Sequence, residues 1–290
     1  MGAQQDHHFK QLFALLKVAG YEEWAKNCQH INFGSIKGMS TRRGEVVFLK
    51  DVMDEAKRRM LKTMAKSPEK LGAIADPEAV ADLLGQSAIF VQDMTARRIK
   101  DYSFHWKRVL CSEGDTGVYL QYTHARLCAI ERRSLLSFSS IIDSEKCGND
   151  EAEKTETHEK EEEECSQNPQ DFSSNPKDSL TMMAQNLIKM MAEKTVDLSH
   201  VEDSQSAHQV FVLAARFPEI VMMAANQLEP CVVVNYAFSL ARAVSTAVEE
   251  LHVLGSPEPV AMARLVVFIS ARIVLGNALV LLGLVPLERM

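Results

Sequence analysis

The feature that most restricts the fold of this chain is a polar loop at residues 34–44, set between a short apolar run and the start of a helix. Glycines stand at 34, 38 and 44, and cations at 37, 42 and 43. Glycine lets the backbone approach phosphate oxygens, Ser40 and Thr41 can donate hydrogen bonds, and arginine presents a planar fork of donors. The loop suits a polyphosphate, although an ordinary surface hairpin with basic residues has the same composition.

Helical periodicity dominates the sequence on both sides of this loop. An amphipathic helix is predicted at 7–19 and ends at Gly20; its apolar positions are Phe9, Leu12, Phe13, Leu16 and Val18. After the loop, 46–49 is predicted as a short strand and Asp51 as the cap of the next helix, with apolar positions at Val52, Ala56, Met60 and Leu61. Asp76 and Pro77 are a typical helix start.

The last third of the chain also has helical patterns, at about 179–194, 203–216, 218–227, 230–253 and 258–283. The final helix is apolar almost all round, which is typical of the buried central member of a bundle. The apolar stretch 266–287 contains Ser270, Arg272 and Asn277, which would be costly in lipid. A buried helix is therefore predicted there rather than a membrane span.

Residues 143–178 break every helical and strand pattern. Ten acids and three lysines lie between 145 and 164, which accounts for the whole net charge of −7 and leaves 29 acids and 29 bases elsewhere. The acidic balance therefore does not argue against an RNA partner. With almost no apolar side chains, this stretch is predicted to be a disordered, solvated insertion, with an acidic interaction tail as the alternative.

Cysteine and histidine spacing shows no metal site. The six cysteines, at 28, 111, 128, 147, 165 and 231, contain no C-x-x-C pair, and the nine histidines form no H-E-x-x-H pattern. Free thiols in a reducing compartment are expected.

A long helix predicted at 116–133 carries two tyrosines and an arginine on one face. At 100° per residue Tyr119, Tyr122 and Arg126 fall close together, while Leu120, Leu127 and Ile130 mark a separate apolar side. Such a face can stack on unpaired RNA bases, although tyrosines also serve at the edges of ordinary cores.

Four segments, taken together, resemble the arginyl-tRNA synthetases, a family of class I aminoacyl-tRNA synthetases. Phe33-Gly34 with Gly38-Met39-Ser40-Thr41-Arg42-Arg43-Gly44 resembles the family's signature loop, with Arg42 in place of the usual second lysine. Gln5 and His8 lie where that family has a Gln-x-x-His segment. Residues 114–126 resemble the start of its anticodon-binding domain, and 282–290 resemble its C-terminus.

The resemblance implies a mainly α fold: the C-terminal remnant of a class I Rossmann-like catalytic domain at 1–115, with the signature loop at 37–44, then an α-helical bundle anticodon-binding domain at 116–290 that contains the insertion. The His-Ile-Gly-His motif that this class uses against ATP phosphates is absent. The chain therefore looks like the C-terminal half of a longer enzyme.

The resemblance also implies ATP-dependent attachment of arginine to its tRNA, with Mg²⁺ accompanying ATP. It assigns ATP and pyrophosphate contacts to Met39, Ser40, Thr41 and Arg42, ATP binding to Phe33, Gly34, Lys37 and Gly38, arginine binding to Gln5 and His8, and anticodon contacts to Tyr119, Tyr122, Arg126 and Met290. A monomer without a membrane partner is expected, in mitochondria or alternatively in the cytoplasm. The other hypothesis is a catalytically inactive tRNA-binding or regulatory chain.

Overall fold

The computed structural model describes residues 2–37, 48–72, 74–111, 114–150 and 196–290, with the backbone alone at 69–70 and 135–150. Several sequence predictions fall outside these ranges. They are the predicted contacts Gly38, Met39, Ser40, Thr41 and Arg42, the insertion beyond residue 150, and the helix at 179–194.

Helices make up most of the described part, which confirms the mainly α prediction. They are α1 Asp6–Val18, α2 Glu22–Asn27, α3 Leu49–Met64, α4 Pro68–Gly72, α5 Pro77–Thr95, α6 Trp106–Val109, α7 Gly117–Asp150, α8 Ser199–Glu202, α9 Gln205–Ala215, α10 Phe217–Gln227, α11 Cys231–Glu250 and α12 Glu258–Leu281. A short 3-10 helix, Ala3–Gln5, precedes α1. Two strands, β1 Ile36–Lys37 and β2 Tyr102–Ser103, pair in parallel.

The chain forms two compact units, each built from separate stretches of sequence. Unit 1 comprises Met1–Ala125, Leu213–Arg242 and Val274–Met290. Unit 2 comprises Arg126–Val212 and Ala243–Ile273. All the candidate site residues described below except Arg126 belong to unit 1.

The core of unit 1 forms where α3 packs on α5. Val52, Ala56 and Met60 recur at four-residue spacing on α3 and are buried, as the periodicity predicts. From α5, Leu84 and Ala88 join the same cluster. The start of α5 is also as predicted, because Asp76 Oδ1 accepts a hydrogen bond from the backbone N–H of Ala79 at 3.0 Å, with Pro77 as the first helical residue.

The backbone of α7 touches α5 at its first residue, Gly117. A Cβ added at this glycine would lie 2.1 Å from the carbonyl oxygen of Ser87, so the two helices can meet this closely only where a side chain is missing. Four residues along α7, Gln121 Nε2 donates a hydrogen bond to Ser87 Oγ at 2.9 Å. The glycine contact and this hydrogen bond together set how α7 lies against α5.

Two predicted element boundaries are wrong. Leu49, predicted to end a strand, is the first residue of α3, and Phe48 rather than Asp51 stands at the N-cap with an extended backbone. Asp51 lies in the first turn, where its charge favours the positive end of the helix. The helix predicted at 116–133 continues to Asp150, so the first residues of the predicted insertion, 143–150, have a helical backbone.

The N-terminal helix α1 differs from its prediction in burial rather than in position. It ends just before Gly20, whose φ of +86° stops the helix as predicted. None of its side chains is buried, although the pattern predicts an apolar face. Leu12 is 39% exposed, and Val18 is 86% exposed.

Unit 2 contains the middle of α12, whose Leu265, Val266, Phe268 and Ile269 are buried, in agreement with the prediction of a central helix. Arg272 of α12 forms an ion pair with the buried Glu131 of α7. Among the described helices, α11 and α12 are long and apolar enough to cross a membrane by length and composition alone, and 61% and 50% of their most apolar stretches are buried inside the protein. Core helices of soluble proteins share this property.

Candidate functional site

The base of the signature loop is held by backbone hydrogen bonds to the segment 98–103. Gly34 N–H donates to the carbonyl oxygen of Arg98 at 2.8 Å, and Ser35 N–H donates to Asp101 Oδ1 at 2.8 Å. The carbonyl oxygen of Ser35 accepts from Tyr102 N–H at 3.2 Å. Phe33 and Gly34, both predicted to border a nucleotide, therefore lie on a fixed stretch of backbone.

Gly34 is a glycine because the two backbone segments touch at this point. A Cβ added to it would lie 2.5 Å from the carbonyl carbon and oxygen of Lys100 and 2.8 Å from the nitrogen of Asp101. Real Cβ atoms do not approach backbone atoms this closely, so a larger residue would push the loop base away from the segment 98–103.

A cavity of about 780 Å³ lies beside this loop base. Phe33, Gly34, Ser35 and Ile36 form one wall, and Val52 of α3 and Ile89 of α5 are part of the rest. Arg97, Arg98, Lys100, Asp93 and Tyr102 add polar groups at the same cavity. Its volume is within the usual range for small-molecule sites, and its apolar walls with several cations suit a flat ring carrying anionic groups.

Arg98 is already engaged by the protein, so it positions the loop base. Its Nη1 donates to Asn32 Oδ1 at 3.0 Å and to the carbonyl oxygen of Asn32, and its Nε donates to the carbonyl oxygen of Leu228 at 3.1 Å. Its backbone N–H donates to Glu229 Oε2 at 3.0 Å. One arginine therefore connects the residues before the loop to the turn between α10 and α11.

Tyr102 brings a neutral hydroxyl to the cavity. Its hydroxyl donates to Asp93 Oδ1 at 2.8 Å. Burial, together with the hydrogen bond to Asp93, raises the pKa of Tyr102 well above its usual range. The phenol therefore stays protonated at neutral pH.

Other predicted nucleotide and amino-acid contacts do not line this cavity. Lys37 follows the loop base in β1, and its Nζ lies 3.6 Å from Asp101 Oδ2. Gln5 and His8 are both exposed near the N-terminus, and the His8 ring packs edge-on against Phe9 with ring centroids 5.7 Å apart. Of these predicted contacts, Phe33 and Gly34 line the cavity, whereas Lys37, Gln5 and His8 do not.

The predicted RNA-binding face of α7 is available to a partner. Tyr122 is 48% exposed, Arg126 one turn later is also exposed, and Tyr119 is half-buried. Leu120 and Leu127 are buried on the other side of the helix, as the periodicity predicts. Two aromatic rings and a cation on one helix face can stack on unpaired bases.

Next to Tyr122, Gln121 is fully buried and binds the C-terminal segment. Its Nε2 donates to the carbonyl oxygen of Val285 at 2.9 Å, and its Oε1 accepts from the backbone N–H of Leu287 at 2.9 Å. His124 Nδ1 donates to the carbonyl oxygen of Leu287 at 2.9 Å. Because that oxygen can only accept, Nδ1 carries the proton.

This anchor, made by Gln121 and His124 on Val285 and Leu287, holds the end of the chain against α7. Met290, a predicted anticodon contact, follows the anchored Leu287 by three residues and is 38% exposed. Sequence reasoning assigned no role to Gln121 or His124. His124 lies in phase with the buried Leu120 and Leu127, but Gln121 lies about 100° from Leu120 around the helix, so helical spacing does not mark it as buried. A polar side chain that is buried must find a hydrogen-bond partner.

Within the described residues no three His, Cys, Asp or Glu side chains converge into a metal-binding group. The cysteines described are free thiols, exposed at Cys28 and Cys111 and buried at Cys128 and Cys231.

Comparison with protein families matches two parts of the chain. Residues 1–106 match the catalytic domain of class I tRNA synthetases of the arginine type, and residues 179–290 match the DALR anticodon binding domain. The two matches follow one another in the order that the resemblance implied.

Comparison with curated proteins extends this likeness along the whole chain. A probable cytoplasmic arginine–tRNA ligase of Dictyostelium discoideum is 39% identical over 290 residues, covering 100% of this chain and 40% of that protein. The mitochondrial arginine–tRNA ligase of Saccharomyces cerevisiae is 37% identical over 290 residues, covering 100% of this chain and 37% of that protein. The chain thus spans about two fifths of the length of these relatives.

Among solved structures, an arginyl-tRNA synthetase of Plasmodium falciparum aligns with a TM-score of 0.68 at 18% identity, covering 100% of this chain and 40% of that one. The Thermus thermophilus arginyl-tRNA synthetase aligns with a TM-score of 0.65 at 22% identity, covering 96% of this chain and 38% of that one. At these identities the likeness is one of fold.

The anchor on the C-terminal segment can be tested with Gln121→Leu. This change removes three hydrogen bonds and leaves the buried N–H of Leu287 and the partly buried C=O of Val285 without their partner, so the free energy of unfolding should fall by about 2 to 4 kcal/mol. Urea denaturation measures this loss. Carboxypeptidase should also release the last residues faster, because the segment opens more often.

The matched control is Gln227→Leu, which changes an exposed glutamine at the end of α10. It should leave both the unfolding free energy and the rate of carboxypeptidase release close to those of the unaltered chain. If Gln121→Leu and Gln227→Leu had the same unfolding free energy and the same release rate, the proposed role of Gln121 in holding the C-terminal segment would be contradicted.

Proposed function

Because this chain belongs to the arginyl-tRNA synthetase family, we propose that it provides the signature loop and the anticodon-binding surface of an arginine–tRNA ligase. The observation that carries the proposal is the exposed face of Tyr122 and Arg126 on α7, directly beside the buried anchor of the C-terminal segment. An exposed aromatic ring on a rigid, anchored element is what base stacking requires.

The proposed reaction has two steps. The arginine carboxylate attacks the α-phosphate of ATP, and pyrophosphate leaves. A hydroxyl of the 3′-terminal adenosine of the tRNA then takes the arginyl group from the adenylate, and AMP is released. Catalysis of this kind depends mainly on positioning the reactants and on neutralising phosphate charge.

Each predicted site residue has a proposed role in that scheme. Phe33, Gly34, Lys37 and Gly38 bind ATP, and Phe33 and Gly34 border its adenine at the cavity. Met39, Ser40, Thr41 and Arg42 contact ATP and the departing pyrophosphate. Gln5 and His8 contact arginine, and Tyr119, Tyr122, Arg126 and Met290 contact the anticodon loop. Support for the adenine contact comes from the backbone of Phe33 and Gly34, which forms one wall of the 780 Å³ cavity.

Mg²⁺ would enter bound to ATP. No described group of three acidic, histidine or cysteine side chains could hold it independently, and Mg²⁺ commonly binds through substrate phosphates with one or two carboxylates. Such an ion would supply charge neutralisation at the phosphates.

We also propose a domain boundary near residue 115 and a monomeric chain that does not bind membranes. Relatives include mitochondrial and cytoplasmic ligases at similar identity. Of these two compartments we propose the mitochondrion, with the cytoplasm as the alternative.

A second candidate is a tRNA-binding chain without catalysis of its own. Its support is the coverage: the chain spans about two fifths of the relatives that it matches. This candidate and the ligase share the anticodon surface and differ only in the use of ATP.

The anticodon surface is tested by fluorescence anisotropy of labelled arginine tRNA, with an anticodon-substituted arginine tRNA as competitor. At about 0.1 M salt, where phosphate contacts do not hide specificity, arginine tRNA should bind at least about tenfold more tightly than the substituted tRNA. Tyr122→Ala should remove most of this preference, since stacking of one base contributes about 1 to 3 kcal/mol.

Tyr21→Ala is the matched control, because Tyr21 is 57% exposed but lies far along the chain from α7. It should leave the preference intact. Equal binding of both tRNAs by the unaltered chain, or an equal loss in the two variants, would contradict the proposed surface.

The nucleotide cavity is tested with Gly34→Ala and isothermal titration of ATP. The added methyl group would meet the Lys100 carbonyl, displace the loop base and weaken ATP binding by at least about tenfold, a loss of about 1.4 kcal/mol. Gly2→Ala is the control, because Gly2 also lines the cavity but a Cβ there meets nothing within 4 Å.

ATP binding that is lost equally in both variants, or kept in both, would contradict the adenine assignment. Specific tRNA binding by an unaltered chain that does not bind ATP would favour the second candidate.

A further inference from the structure

A turn at residues 97–100 carries two cations at the cavity beside the loop base. The backbone N–H of Lys100 donates to the carbonyl oxygen of Arg97 at 2.9 Å, which closes the turn. Arg97 and Lys100, the outer pair of this turn, both line the cavity of about 780 Å³ and are exposed. Two cations are therefore held at the ends of one tight turn and at the edge of one cavity.

Hydrogen bonds on both sides of the turn keep it in place. Within the turn, the guanidinium of Arg98 donates to Asn32 and to the carbonyl oxygen of Leu228. Gly34 N–H donates to the carbonyl oxygen of Arg98 at 2.8 Å, and Gly34 lies too close to the Lys100 carbonyl for a Cβ to fit. A turn that is fixed in this way pays less ordering entropy when its side chains bind a ligand.

The acidic groups near the turn already have other partners. Asp93, the one acid among the described residues that line the cavity, accepts a hydrogen bond from the Tyr102 hydroxyl at 2.8 Å. Asp101 Oδ1 accepts from the backbone N–H of Ser35 at 2.8 Å. These carboxylates therefore hold the protein together around the cavity.

Positive charge is in excess at the cavity. The described lining residues include three cations, Arg97, Arg98 and Lys100, against the single acid Asp93. A cleft with apolar walls and one prevailing sign of charge concentrates counter-ions. Because the guanidinium of Arg98 is bound to backbone and to Asn32, the outer pair is what the turn offers to an anion. Arginine meets phosphate oxygens through a planar fork of donors, and lysine meets them as a point charge.

From these observations we propose that Arg97 and Lys100 bind the phosphate groups of an adenosine nucleotide whose ring lies against Phe33 and Gly34. The inference rests on the proposed binding of ATP in this cavity, and it assigns phosphate contacts outside the signature loop. Two cations at the ends of one turn match the several charges of a polyphosphate better than the single charge of a carboxylate.

A nucleotide fits the outer pair better than the backbone of an RNA strand. Surfaces that bind single-stranded RNA carry a positively charged groove that follows the backbone over several nucleotides. The outer pair instead stands beside a cavity whose walls include the buried side chains of Val52 and Ile89. An apolar cavity with cations at its edge accepts one ring and the phosphates attached to it.

The test compares ATP with adenosine, which has the same ring and no phosphate, by isothermal titration of the 290-residue chain. The double variant Arg97→Gln, Lys100→Gln should weaken ATP binding by at least about tenfold, because both charge-assisted contacts to phosphate are lost. Its affinity for adenosine should stay within about twofold of that of the unaltered chain. ATP binding by the unaltered chain should also fall more steeply with rising salt than ATP binding by the variant.

The matched control is the double variant Lys107→Gln, Arg108→Gln. It removes the same two residue types and the same charge from α6, where both residues are exposed and neither lines the cavity. It should keep ATP affinity within about twofold. The charge-conserving variant Arg97→Lys, Lys100→Arg should keep ATP affinity within about threefold, because the cations remain.

Circular dichroism checks that each variant is folded, and no change is expected because all four altered side chains are exposed. If the double variant of the outer pair loses its helical spectrum, the single variant Lys100→Gln replaces it. ATP binding should then weaken by at least about threefold, again without a change in adenosine binding.

Four results would overturn the inference. An equal loss of ATP and adenosine affinity would mean that the turn shapes the ring site only, and an equal loss of ATP affinity in the α6 control would assign the effect to overall charge. Weaker binding of arginine tRNA with unchanged ATP affinity would assign the outer pair to the RNA backbone. Unchanged binding of both ligands by the double variant would overturn this inference alone.

The proposed function fails differently. An unaltered chain that binds neither ATP nor adenosine would overturn the adenine assignment together with this inference. A preference for arginine tRNA that survives in the same chain would leave the proposed anticodon surface standing.

Discussion

The hydrogen bonds of the buried Gln121 side chain are the interaction on which the arrangement of the proposed anticodon surface depends. One buried amide joins α5, α7 and the C-terminal segment, through Ser87 Oγ, Val285 O and Leu287 N–H, each at 2.9 Å. Burying an amide without partners would cost several kcal/mol, so the site is stable only when all three elements meet there. Gly117, one turn earlier, has no side chain, and α7 can therefore come close enough to α5 for Gln121 to reach Ser87.

A second polar centre, Arg98, holds together the backbone segments beside the cavity that we propose binds a nucleotide. Its guanidinium and backbone hydrogen bonds tie Asn32 to Leu228 and Glu229, and its carbonyl oxygen holds Gly34. The loop base matched by the catalytic-domain model and the α10–α11 turn matched by the anticodon-domain model are therefore connected inside unit 1. Charge and hydrogen bonding, rather than apolar burial alone, hold the two candidate sites in place.

Much of the helical fold could be predicted from the sequence, because hydrophobic periodicity and helix capping depend on residues that are close together along the chain. Val52, Ala56 and Met60 on α3, and the Asp76 cap of α5, follow from spacing and side-chain chemistry alone. The resemblance to arginyl-tRNA synthetases rests on four short motifs that follow one another in the order found in that family. The start of α3 at Leu49 was missed, because an apolar run of four residues has no period that separates strand from helix.

The tertiary partners could not be predicted in this way. Gln121 and His124 are recognisable as important only once the C-terminal segment is seen to bind them, more than 160 residues away along the chain. In α1, helical spacing predicted one apolar face, but spacing does not reveal whether a face has a partner. Only the structure shows that the side chains of Val18 and Trp24 are exposed to solvent.

We propose that the anchored C-terminal segment and the exposed face of α7 form one RNA-binding surface. Hydrogen exchange measured by mass spectrometry, with and without arginine tRNA, tests this proposal most directly. We expect tRNA to slow exchange in peptides covering 284–290 and 117–126, and an anticodon-substituted tRNA to do so much less. Unchanged exchange in both peptides, or equal slowing by the two tRNAs, would contradict it.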